Sequence, residues 1–62
     1  FMPVINVKII EGRTVEQKRA LVKNVTAAIS ASIGVPESAV WISIEDLAPE
    51  NLGQAGVLRC DK

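Results

Sequence analysis

The chain has 62 residues, 48% of them hydrophobic, with seven basic and seven acidic side chains, one cysteine and no histidine. That excludes a second domain, a disulfide framework and a zinc site of the Cys/His type. The charges cancel and neither sign forms a long run, so nucleic acid and anionic membranes are not expected as partners.

A chain this short buries only about 60% of its unfolded surface, so its apolar side chains call for cover from further copies of itself. The longest apolar stretches fall far short of a membrane span of about 20 residues, and no signal-peptide pattern is visible. The single thiol, Cys60, fits a reducing, cytoplasmic setting and otherwise reads as a functionless group near a chain end.

Met2-Pro3 opens the informative part of the chain. An initiator methionine before proline is normally removed, so residues 1 and 2 are expected to be lost from the native protein or foreign to it. Pro3 would then carry a free secondary amine. With Phe1 and Met2 attached its nitrogen is an amide, and that form is expected to have no base there. A second reading is that Pro3 simply begins an edge strand, where its missing N–H costs nothing.

Val4 to Ile10 alternates as a strand, with Ile5, Val7 and Ile9 on one face and Asn6 and Lys8 on the other. Val4 and Ile10 add apolar groups to that second face. Glu11-Gly12-Arg13 breaks the pattern, with Gly12 free to take a positive φ. Thr14-Val15-Glu16-Gln17 then matches a capping box and opens a helix, and Glu16 suits the positive end of its dipole. Leu21, Val25, Ala28, Ile29 and Ser32 form one stripe, widened by Val22 and Ile33, with Lys18, Arg19, Lys23 and Thr26 on the wet side. Gly34 and Pro36 end the helix, which at about 19 residues and 1.5 Å each is roughly 28 Å long.

Val40 to Glu45 repeats the strand alternation, with Val40, Ile42 and Ile44 opposite Trp41, Ser43 and Glu45. Strand, long helix and strand make a β-α-β unit with a parallel pair and a right-handed crossover. The fold class expected is therefore α+β in two layers, with the sheet completed by a neighbouring subunit because two strands leave a face and edges bare. The turn-rich tail from Leu47 to Leu58 reads as a short hairpin or an arm. All 62 residues belong to one domain.

Acid–base chemistry near neutral pH needs a group titrating there, and histidine is absent. A terminal amine has a reference pKa of about 7.7–8.0, lowered by burial or a nearby cation. Arg13, directly after the first strand, offers a planar fork for a carboxylate, or else a solvated loop arginine paired with Glu11 or Glu16. Trp41 reads as a subunit-interface anchor or a pocket wall. Lys8 reads as a solvated or interface strand residue. No phosphate loop, Ser/His/Asp set or metal-ligand spacing is present.

Met2-Pro3-Val4-Ile5-Asn6-Val7-Lys8 followed by Glu11-Gly12-Arg13-Thr14-x-Glu16-Gln17-Lys18 resembles the small tautomerases of the 4-oxalocrotonate tautomerase family. The resemblance extends through the Gly34–Pro36 break and the second strand to Gly53-x-x-Gly56. It implies a protomer paired into dimers with a four-stranded sheet, three dimers forming a homohexamer. It implies a cytoplasmic enzyme of aromatic degradation with no cofactor and no metal. By the same resemblance Pro3 is the general base, moving a proton between the 2-hydroxyl of a dienol and a distant carbon of a 2-keto acid. Arg13 would bind a substrate carboxylate.

Two positions depart from the family. Trp41 stands where well-known members carry a second arginine, and Leu52 stands where they carry an aromatic pocket wall. Losing a cation removes a charge-assisted bond to a developing enolate. A weaker or altered preference for dicarboxylate dienols is expected, with Trp41 offering an indole N–H and a flat wall to an aryl or monocarboxylate enol. Two alternatives stay open. One is other proline-dependent chemistry (hydration, dehalogenation or decarboxylation) with Glu11, Glu45 or Glu50 activating water. The other is a non-catalytic oligomeric binding protein.

Overall fold

Parallel pairing of β1 (Val4–Ile10) with β2 (Trp41–Leu47) builds the sheet, in a register running from Val4 opposite Trp41 to Ile10 opposite Leu47. These are observations on a computed structural model that describes residues 2–62, and the expectation for Phe1 lies outside them. Helix α1 (Val15–Ile33) makes the crossover. The tail ends in an antiparallel hairpin of β3 (Gly53–Gln54) and β4 (Val57–Leu58). The α+β two-layer class and the β-α-β order are as the sequence implies. Of the two readings of the tail, the hairpin is the one formed.

Local signals act where they were expected. Gln17 N–H donates to Thr14 Oγ1 at 3.1 Å, and Thr14 N–H donates to Gln17 Oε1 at 2.9 Å, completing the capping box. Gly34 closes the helix in the left-handed region, its N–H donating to the Ser30 carbonyl at 3.0 Å. Gly12 takes φ +116°, open to glycine alone at low cost, and so turns the chain out of β1. Glu11 N–H still donates to Leu47 O at 2.9 Å, which pins that turn to the end of β2.

Two details differ from the sequence reading. β2 starts at Trp41 rather than Val40, because Val40 N–H closes a 3₁₀ turn on Glu37 O at 3.1 Å. It also runs on to Leu47, because Asp46 and Leu47 find partners in Ile9 and Ile10. The second difference concerns the helix face. Lys18 and Thr26 are half-buried with Leu21, Val25 and Ile29, whereas Ala28 and Ser32 are exposed. Asp46 shares the helix side of the sheet with Ile42 and Ile44 and meets Lys18 Nζ at 2.6 Å, drawing that lysine inward.

No described residue is fully buried. The surface is 4691 Å², against about 3,900 Å² for a compact monomer of 6.6 kDa. The radius of gyration is 14.5 Å, where about 10.6 Å is usual for 62 residues. The helix covers one face of the sheet, carrying Ile5, Val7, Ile42 and Ile44. The other face presents Val4 and Trp41 at 65% and 59% exposure, with Asn6, Ser43 and the Lys8–Glu45 pair beyond them. That face has the width of two strands and no layer over it.

Candidate active site

Pro3 precedes the first residue of β1 and is half-buried. Its carbonyl accepts the Trp41 N–H at 3.0 Å, one step before the Val4–Trp41 pair in the ladder. The two residues are therefore neighbours at the head of the sheet. Trp41 leaves most of its indole in solvent on the uncovered face, beside Val4.

Arg13 sits past the other end of the same strand. It lines a cleft of about 270 Å³ with Ile9, Gln17, Lys18 and Leu21, on the helix side of the sheet. Among the described residues it makes no ion pair. Glu16, the nearest alternative on the helix, is taken by Arg19. The internal salt bridge open to Arg13 on sequence grounds is thus absent, and its five donors remain available to an anion.

Leu52 belongs to a different place again. It lines a cleft of about 130 Å³ with Ile10, Gly53, Gln54, Arg59 and Lys62. Ile9 and Ile10 point to opposite faces of β1, so the Arg13 and Leu52 clefts open on opposite sides of the sheet end. The hairpin holds Leu52 in position. Ala55 and Gly56 both have positive φ, 55° and 81°, the signature of a tight type I′ turn. Gly53 then pairs with Leu58 and Gln54 with Val57, and Arg59 N–H donates to Leu52 O at 2.8 Å.

One chain therefore does not gather the four residues. The structure joins Pro3 to Trp41 and leaves Arg13 and Leu52 near the far end of β1. Seven residues at roughly 3.3 Å each separate the two ends by about 23 Å. The carboxylates considered for water activation are not at the Pro3 end either. Glu11 follows β1, Glu45 lies mid-sheet 4.0 Å from Lys8 Nζ, and Glu50 is in the 3₁₀ turn after β2. Among the described residues no group of three or more His, Cys, Asp or Glu is placed to hold a metal, and no helix is long and apolar enough to cross a membrane.

Arg59 lines the same cleft as Leu52, though residue type and motif do not single it out. The signal was present in the tail, since a two-residue turn at Ala55-Gly56 sets residue 59 across from residue 52. It had no weight until the tail was known to pair with itself.

Comparison with known proteins agrees with this architecture. A family model described as tautomerase enzyme matches residues 3–61. A probable tautomerase of Bacillus cereus is 43% identical over 61 residues, covering 98% of this chain and all of that protein. Among solved structures, a 4-oxalocrotonate tautomerase isozyme of Methylibium petroleiphilum superposes with a TM-score of 0.90 at 41% identity, covering 94% of each chain. A heterohexamer 4-oxalocrotonate tautomerase of Chloroflexus aurantiacus gives 0.93 at 28% identity, covering 97% of each. With fold, length and sequence in agreement from Pro3 to the hairpin, this chain belongs to the tautomerase family, in its 4-oxalocrotonate tautomerase group.

Proposed function

We propose that this protein is a cofactor-independent keto–enol tautomerase of a 2-hydroxy-dienoate or 2-keto acid, acting in the cytoplasm. Its general base is the amine of Pro3, exposed once residues 1 and 2 are gone, and the remainder acts as a single domain. The observation that carries this reading is the setting of Pro3. It is half-buried at the head of β1, its carbonyl tied to Trp41, in a chain that has no histidine to take the role.

The chemistry balances as an isomerisation. The Pro3 nitrogen accepts the proton of the substrate 2-hydroxyl, the electron pair moves along the diene, and the same proton is returned to a distant carbon. A ring-locked secondary amine suits both halves, being basic enough to accept the proton and weak enough to release it. Arg13 holds a carboxylate bidentately, since no internal acid occupies it. Leu52 supplies apolar wall. Trp41 offers a flat surface and one indole N–H where a cation would otherwise hold the 2-keto carboxylate.

A small keto acid cannot bridge the 23 Å or so between the ends of β1. Pro3 and Arg13 contacting one substrate must come from different chains. Self-association, proposed as a homohexamer of three dimers, would then assemble the site as well as cover the bare sheet face. Sedimentation at micromolar concentration should return a hexamer of the 6.6 kDa chain; a stable folded monomer would sink this part of the reading.

The substrate preference is tested with protein beginning at Pro3, assayed on 2-hydroxymuconate and phenylenolpyruvate. Phenylenolpyruvate should be turned over at least as efficiently, and Trp41→Arg should raise kcat/KM for 2-hydroxymuconate by about tenfold, the worth of one charge-assisted hydrogen bond. A strong preference of the unaltered protein for the dicarboxylate would show that Trp41 does not set the substrate.

A further inference from the structure

We propose that Arg59 is a second carboxylate-binding residue of this site, a specificity determinant for the additional carboxylate of a dicarboxylic substrate. The inference rests on the reading of Leu52 as pocket wall, and it follows from how the tail is paired. Arg59 N–H donates to Leu52 O at 2.8 Å, one step beyond the Gly53–Leu58 pair of the hairpin. That bond ties the two backbones together just past the hairpin, and the Leu52 and Arg59 side chains line one cleft with Gln54 and Lys62. Any assembly that brings Leu52 against a substrate brings the Arg59 guanidinium with it.

Arg59 also has its donors to spare. Among the described residues it forms no ion pair, whereas Lys62, the other cation of the cleft, spends a donor on Gln54 Oε1 at 3.1 Å. Glu45 and Asp46, the acids of β2, are engaged by Lys8 and Lys18. The cleft therefore combines an apolar floor of Ile10 and Leu52 with one uncommitted planar fork. That suits the far carboxylate of an unsaturated dicarboxylic acid, bound through paired N–H groups while its carbon chain lies on the leucine.

The test compares protein beginning at Pro3 with Arg59→Gln and Arg59→Lys, on 2-hydroxymuconate and phenylenolpyruvate, alongside titration with cis,cis-muconate as an unreactive dicarboxylate. Arg59→Gln should lower kcat/KM for 2-hydroxymuconate about tenfold more than for phenylenolpyruvate, mainly through KM, and weaken muconate binding about tenfold. Arg59→Lys should recover part of both. Equal losses on the two substrates would assign Arg59 to the fold and overturn the proposal, as would no change on either. If the parent protein turns over neither substrate, the tautomerase reading falls. Muconate binding then still decides Arg59, with unaltered affinity in Arg59→Gln counting against it.

Discussion

Protein that begins at Pro3 should catalyse enol–keto conversion, and protein that keeps Met2 ahead of it should lose about 10²–10⁴-fold in kcat/KM, the range a positioned acid–base group contributes. The reason is electronic. A peptide bond draws the proline nitrogen lone pair into the carbonyl, leaving nothing to accept a proton near neutral pH. Intact mass and rate measured on the same sample check this, since activity should track the fraction starting at Pro3. The pH profile adds an independent reading. The base must be unprotonated in the free enzyme, so kcat/KM should rise with pH through the amine range and then level. Equal activity with and without the preceding residue would exclude Pro3 as the base.

Replacing Arg13 with glutamine is the second large effect. A hydrogen bond to a charged group is worth about 1.5–3 kcal/mol, so kcat/KM should fall about 10- to 150-fold on any substrate with a carboxylate. The loss should appear mainly in KM if the contact is equally strong in ground and transition states. Stability should be nearly unchanged, because Arg13 forms no ion pair among the described residues and is exposed. Thermal melting of the variant separates the two roles. A large fall in Tm would mean that Arg13 holds the assembly together rather than the substrate.

These two residues lie at opposite ends of one strand, and both effects should nevertheless appear in one reaction. That is the physical content of a site built from several chains. On the proposed reading each subunit would offer Pro3 and Trp41 at one end of its sheet, and Arg13 and Leu52 near the other. Dilution below the dissociation constant of the assembly should then abolish activity even where the single chain keeps its helix.

Much of the fold is legible locally. The alternation of Val4–Ile10, the capping box at Thr14 and the left-handed stop at Gly34 each depend on residues within a few positions of one another, and each is found as expected. The family motif from Pro3 to Lys18 is equally local. What sequence could not supply is whatever depends on long-range pairing. Lys18 has helical spacing that suits solvent, yet it turns inward because parallel register places Asp46 on the helix side of β2. β2 reaches Leu47 because β1 is long enough to offer partners that far.

The same division holds at the site. Pro3, Arg13, Trp41 and Leu52 are proposed from residue type and motif, but their separation follows only from the length of β1 and the parallel register. Arg59 is brought across from Leu52 only by the antiparallel pairing of the tail with itself. The sequence by itself determined the β-α-β order and the helix ends. The tertiary structure decided which groups are neighbours, because a strand fixes the direction of its own side chains while only its partner fixes what stands beside them.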